Sequence, residues 1–338
     1  MTTQVSSKSH TPTFSRPRGP FAAFAFPRFR KVWIASVVFS LGNWGERLAT
    51  GWVVLNETES VFLAAATFAV RQAPQLIFAP IGGAAADRFS RGNIMLLAGI
   101  YKAIVLSALA LITANGLEPL WVVFVILAFS GVGHSFELPA VQGMVTGSVP
   151  RNIRMNAVAV QSTGMRAIGA LGALAAGFAI NLLGVPVTFL ASGASFALGG
   201  VLALFANKDL QAGGAQRSGS VVRDTIDGLK IMSTMPIVRM ILITAVVVEI
   251  FGFAYGAVLP AVAKEVLSVD EKGLGTLTMM AGFGSMFGTI FLMLLGDFKR
   301  KGLLLIGIAF AYGTFLATFS AFGSYAIALL LIMGVGAS

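Results

Sequence analysis

Apolar runs of about 20 residues or more follow one another along the chain, separated by short polar interruptions. They fall at about 32–55, 61–84, 93–113, 119–147, 155–182, 186–206 and 236–259, then before the turn at 296–301, and again at 302–322. A helix crosses a bilayer core in roughly 20 residues at about 1.5 Å each, so each run predicts a membrane-spanning helix. A further apolar run from Tyr325 to Ser338 begins a tenth span. The expected order is a polar tail (1–31), a six-helix bundle (32–206), a linker (207–235) and the start of a second bundle (236–338). In the linker, Val221, Val222, Thr225, Ile226, Leu229 and Met232 share one helical face opposite Arg223, Asp224, Asp227 and Lys230. That pattern predicts an amphipathic helix lying on the membrane surface.

Charge orients this array. Only 11% of residues are charged, against 56% hydrophobic, and the formal net charge is +10. In a soluble chain such a balance would suggest nucleic acid, but here the basic residues must first be assigned to sides of the membrane. The tail (Lys8, Arg16, Arg18, Arg28, Arg30, Lys31), the turn after span 2, the loop at Arg151 and Arg154, the linker and the turn after span 8 carry nearly all of them. The opposite loops hold only Lys264 and Lys272 among several acids. The N-terminus is therefore expected on the cytoplasmic side of the plasma membrane. With no cysteine and two distant histidines, thiolate chemistry and a metal centre are not expected. No span carries a nucleophile and base at workable spacing, so neither an enzyme nor a cofactor is expected.

The turn from Gly83 to Gly92 carries the most specific pattern. Gly83 is placed to let a helix end approach its neighbour, Asp87 to accept from N–H groups at a helix start, and Arg88 and Arg91 to face headgroups and that carboxylate. The spacing resembles the signature loop between helices 2 and 3 of the major facilitator superfamily, with Ser90 where glycine is usual and Gly92 where a basic residue is usual. Six spans later the turn Gly296-Asp297-Phe298-Lys299-Arg300-Lys301 repeats it. Such repetition is how transporters of two parallel halves are built. The resemblance implies an all-α membrane bundle of two six-helix halves, and the chain holds about nine full spans plus part of a tenth. It reads as a twelve-helix design without its last two and a half helices.

Seven ionisable residues fall inside the spans: Glu46, Arg47, Arg71, Lys102, Glu137, Arg166 and Glu249. Leaving all seven in lipid would cost on the order of 20 kcal/mol, so most must face protein or water. Counted along their helices, Glu46 and Glu249 lie about 20 Å from the cytoplasmic end, and Glu137 near the cytoplasmic face. The first two suit proton titration or cation binding and Glu137 a cytoplasmic gate. The alternative for each is an ion pair with Arg47, Arg71, Lys102 or Arg166. Arg71, beside Pro74, is placed either to anchor an anionic substrate or to lock against an acid. His134 is either a hydrogen-bonded helix residue or a proton relay. Trp33, Trp52 and Trp121 suit interfacial anchors, whereas Trp44 is deep enough to stack on a ligand.

Further stretches resemble the siderophore-exporter branch of the superfamily, also described as transmembrane secretion effectors: Leu41-Gly42-Asn43-Trp44 through Trp52, Pro139-Ala140, Asn156-Ala157 and the amphipathic segment before Pro236. Gly169 to Gly172 resembles the glycine-rich helix-5 motif of family exporters, with Ala170 in place of its usual proline. In helix 3, Gly99 and Lys102 stand where the branch often shows an acid and an arginine. In this superfamily helices 1, 4 and 7 line the cavity, which implies a proton and substrate cavity at Asn43, Trp44, Glu46, Arg71 and Glu249. A conformational latch is implied at Gly83, Asp87, Arg88, Arg91, Glu137, Asp297 and Arg300. The expected function is proton-coupled export of small amphipathic molecules by a monomer in the bilayer. An importer of the same fold and a transport-inactive membrane protein are the alternatives.

Overall fold

The computed structural model describes residues 21–116, 119–207, 234–236, 239–240, 243, 255–295 and 301–338; the side chains at 293, 294 and 301 are outside that description. Residues 1–20 of the expected tail, residues 221–233 of the amphipathic linker segment, Glu249, Asp297 and Arg300 lie outside the described residues. Within them the chain is helical, without strands. The helices are α1 (Pro27–Thr58), α2 (Val61–Arg88), α3 (Arg91–Ala114), α4 (Leu120–Gly147), α5 (Arg154–Leu183), α6 (Val185–Asn207), a short α7 (255–261), α8 (Glu271–Leu295), α9 (Lys301–Ala321) and α10 (Tyr325–Ala337).

Local chemistry sets the boundaries. Pro27 occupies the first turn of α1, where its missing N–H costs nothing, so the helix starts five residues before the expected 32. Glu59 closes α1 in the left-handed region at φ 51°, and the Ser60 hydroxyl then accepts the Leu63 N–H at 3.3 Å to cap α2. Gly184, at φ 84°, makes the one-residue turn between α5 and α6. α7 ends in a π-turn over Val262–Val266, and Asp270 caps α8 by accepting the Gly273 N–H at 2.9 Å.

Seven helical stretches among the described residues are long and apolar enough to cross a membrane: α2 to α6, α8 and α9. α1 is longer than any of them but carries Asn43, Glu46 and Arg47 at mid-length, and it falls below that apolarity. Its position is secured by packing, against α6, α5 and α2. α2 lies on α4 and α3 on both α6 and α4, so α1 to α6 form one bundle; α5 carries the contact to α8, which α10 also packs on.

With lipid outside, no hydrophobic effect drives these helices together, and close contact depends on small residues. A Cβ at Gly82 would overlap the Ser135 carbonyl, and one at Gly131 would overlap that of Arg71, so α2 and α4 meet backbone to backbone. Gly83 has open space beside it. The expected close approach is thus corrected by one residue, because a 100° step turns Gly83 away from α4. A second correction concerns Asp87. α2 continues through Arg88, so the carboxylate sits exposed in a last turn, not at a helix start.

Overpacking at a helix contact typically costs about 1–3 kcal/mol. Gly82→Leu should lower the thermal midpoint of the detergent-purified protein, followed by loss of the monodisperse size-exclusion peak, while Gly83→Leu leaves it unchanged. Equal effects at the two positions would contradict this packing.

Candidate functional site

The turns of α1 present two chemically different faces. Asn43, Glu46 and Thr50 recur at helical spacing on the face toward α2 and α4, while Trp44, Arg47 and Leu48 look toward α5, α7 and α8.

On the first face four charges meet. The Arg71 fork grips Glu46, with Nε to Oε1 at 2.9 Å and Nη2 to Oε2 at 3.1 Å, and the Ser130 hydroxyl donates to the same carboxylate. Lys102 Nζ lies 3.6 Å from Glu46 and 3.4 Å from Glu137, bridging the two acids. Asn43 joins the set from its centre. Its Oδ1 accepts from Arg71 at 2.8 Å and Lys102 at 2.9 Å, and its Nδ2 donates to Glu137 at 2.9 Å. That arrangement fixes the amide, oxygen toward the cations and nitrogen toward the anion. His134 Nδ1 sits 2.9 Å from Glu137, and Lys102 also lies 3.6 Å from the Phe196 ring centroid. Glu46 and Lys102 are fully buried. Two cations and two anions cancel, and each charge is hydrogen-bonded, which is the condition for burying ions at all.

The second face borders an open cavity of about 480 Å³ lined by residues of α1, α5, α7 and α8. Trp44, Arg47, Arg166, Tyr255, Ser162 and Thr278 are among its lining residues. Arg47 Cζ lies 5.2 Å from the Trp44 ring centroid and 4.8 Å from that of Phe68. A smaller pocket next to it is lined by Arg47, Phe68 and Arg71 together, so cavity and charge network are separated only by the thickness of α1 and α2 side chains. Cation–π contacts contribute about 0.5–2 kcal/mol, below the roughly 2.5–3.5 kcal/mol that an arginine costs at mid-membrane depth. Arg47 is therefore only partly compensated by the described residues.

A family model described as transmembrane secretion effector matches residues 18–338. The chain belongs to that family of major facilitator transporters. The staphyloferrin A transporter of Staphylococcus aureus is 24% identical over 76% of this chain and 65% of its own length. The multi-drug resistance efflux pump PmrA of Streptococcus pneumoniae is 28% identical over 44% of this chain and 36% of the pump. An uncharacterized major-facilitator-type transporter of Bacillus subtilis is 26% identical over 63% of this chain, which spans 51% of that relative. The chain thus covers about half to two thirds of the first curated relatives it matches. In fold it resembles a bacterial homolog of the human lysosomal transporter Spinster, in an inward-facing and unoccupied conformation. The TM-score is 0.66 and the identity 16%, over 92% of this chain and 73% of that one. A D-xylose–proton symporter gives a TM-score of 0.59 at 17% identity, over 91% and 79% of the two chains.

For this major facilitator chain, the expected site residues separate into groups. Asn43, Glu46, Arg71, Lys102 and Glu137 come together; Trp44, Arg47 and Arg166 line the cavity. The expectation that depth parts Glu137 from Glu46 is corrected, since both reach Lys102. The inward tilt of long side chains closes a gap that residue counting along two helices left open. Arg47 and Arg166, considered for ion pairs, have no carboxylate within 4 Å among the described residues. Arg91 ties the 2–3 turn to α4 by donating to the Gly143 carbonyl at 2.7 Å, and to the Ala86 carbonyl at 3.2 Å. Asp87 and Arg88 lie exposed at this turn.

Sequence reasoning missed Glu271. At the end of the bundle far from the 2–3 turn it accepts from Trp52 Nε1 at 3.0 Å and Asn181 Nδ2 at 3.4 Å, while Lys264 reaches Asn56 at 3.2 Å. These bonds join α1 and α5 to the second half. A carboxylate in the first turn of α8, four residues before the glycine of a tight helix pair at Gly275 and Gly177, was the available signal.

Removing one member of a buried pair costs about 3–5 kcal/mol in soluble proteins, because the partner is left charged and alone. Lys102→Met should destabilise the purified protein by an amount of that order. Lys102→Met combined with Glu137→Gln should recover part of the loss. Thermal unfolding of the single and double variants checks this, and strict additivity would show that the two do not interact.

Proposed function

We propose that the protein is a proton-coupled exporter of small amphipathic molecules, working by alternating access in the plasma membrane with its N-terminus cytoplasmic. The observation that carries this reading is the juxtaposition on α1: a neutralised network of four buried charges on one face and a drug-sized cavity on the next. Pockets for such ligands run to about 300–1,000 Å³, with a few polar groups among apolar walls. The Lys and Arg bias of the loops supports the orientation, and the similarity to the efflux pump PmrA supports export.

Glu271 and Lys264 bond to Trp52, Asn181 and Asn56 at the end away from the 2–3 turn, which supports reading the described state as inward-facing. Opening that end requires these bonds to break and a compensating closure on the cytoplasmic side, where the 2–3 turn lies. Protons enter the scheme through the two acids. Protonating Glu137 releases its hold on Lys102, Asn43 and His134, and Lys102 then has Glu46 as its one carboxylate among the described residues. Protonating Glu46 frees Arg71. Each event leaves a net positive charge in the core, which favours an arrangement with more water around it. The carboxylates thus convert a proton gradient into a preference between states.

Reconstituted into liposomes, the chain should move fluorescent amphipathic probes against their gradient when a pH difference is imposed, and nigericin should stop it. Glu46→Gln should abolish the response to the pH difference and retain probe binding. Probe movement indifferent to pH in the wild type would rule out proton coupling.

The exposed Asp87 carries the second test. Asp87→Asn should leave thermal stability unchanged and slow transport, since the carboxylate makes no hydrogen bond among the described residues in this state and acts in the other. Unchanged transport would remove the 2–3 turn from the switching machinery.

A further inference from the structure

The cavity's own charge bears on what it takes up. Its described lining contains two arginines and no acid. Arg47 reaches it from α1 and Arg166 from α5, helices that pack on each other, so both guanidiniums enter one space. The contrast with the neighbouring face of α1 is sharp. There Arg71 and Lys102 each have a carboxylate within 4 Å, whereas Arg47 has none among the described residues and lies by the rings of Trp44 and Phe68 and beside Tyr255 and Gly256, and Arg166 is exposed to the cavity. Glu46 and Glu137 lie one helix face away and leave the described lining of the cavity positive. A carboxylate contributed by Glu249, outside the described residues, would change that charge from +2 to +1 and leave its sign.

Guanidinium groups lining one cavity with ring faces beside them select for two things. Their planar donor forks match carboxylate, sulfonate or phosphonate oxygens, and the same like charges repel a lipophilic cation. Trp44 and Tyr255 offer flat apolar surface next to those forks.

We propose that this cavity binds an organic anion carrying two acidic groups on a flat apolar body. Arg47 and Arg166 each take one acidic group, and Trp44 and Tyr255 pack on the body. This inference rests on the reading of the cavity as the transport site, and it adds the charge class of the ligand. It also assigns Arg47 a partner that the described residues do not supply.

Naphthalene-2,6-dicarboxylate, titrated into the purified 338-residue chain, is the probe, with tryptophan quenching as the readout and tetraphenylphosphonium as a bulky apolar cation for comparison. The dianion should bind saturably and tetraphenylphosphonium should not displace it. A hydrogen bond between charged groups contributes enough that losing one weakens binding about tenfold or more. Arg166→Gln should show that loss and Arg166→Lys should regain most of it. Arg166 is the decisive position because its exposure to the cavity spares the fold; Arg47→Gln, which also disturbs the Trp44 and Phe68 contacts, serves as a second variant checked for monodispersity.

No saturable dianion binding, equal affinity in Arg166→Gln and wild type, or displacement of the dianion by tetraphenylphosphonium would each overturn the proposal. The two readings fail separately. Dianion binding lost in Arg166→Gln, with no gradient-driven movement of any probe, upholds the anion site and defeats the transporter reading. Gradient-driven movement of cationic probes without dianion binding does the reverse.

Discussion

The grip of Arg71 on Glu46 is the contact on which the first six helices depend. Two full charges inside a membrane bundle are tolerable only when each is neutralised and hydrogen-bonded, and the fork geometry of arginine does both at once. Its consequences spread outward. α2 must bring Arg71 against α1, and it does so while lying backbone to backbone on α4 through Gly82 and Gly131. α4 in turn delivers Ser130, His134 and Glu137, and α3 delivers Lys102. Asn43 fits the remaining gap with one acceptor and one donor, in the only orientation that satisfies cations and anion together. A bundle that would otherwise be held by nonspecific packing acquires a defined register from these few polar bonds.

How much of this could be read from the sequence follows from physical range. Membrane spans are set by local composition, and α2 to α6 match their apolar runs within a few residues. α1 was legible as a helix but not its start, because Pro27 sits in a basic segment that hydropathy scores as tail. The charged residues could be counted, and the need to bury them deduced, from sequence alone. Their pairing could not. It depends on helix rotation and tilt, so a residue count placed Glu137 at a gate and an adjacent glycine, Gly83, at the contact that Gly82 makes. Two signals were present and underweighted: Asn43 three residues before Glu46, and His134 three before Glu137, each on the same helical face as its acid. Glu271 was less accessible still, since its partners come from 90 and 219 positions away.

The division of α1 into two faces also bears on how the two sites communicate. Arg47 and Arg71 line one small pocket, and like charges at that distance in a water-poor interior repel across it. An anion held at Arg47, as proposed for the cavity, would lower the potential at Glu46 and so favour its protonated form. Linkage makes the effect reciprocal: by whatever factor the anion raises the proton affinity of Glu46, protonation of Glu46 raises the affinity for the anion. Protonating Glu46 adds positive charge beside Arg47 and so favours the anion, while losing that proton favours its release. The coupling needs no wire between distant sites, because adjacent residues on one helix carry the two charges 100° apart. It does fix a sign, with proton and anion drawn to the same state. The bonds from Glu271 to Trp52 and Asn181 close the end of the bundle away from the 2–3 turn, so any change of charge state in the network has to be felt there before that end can open.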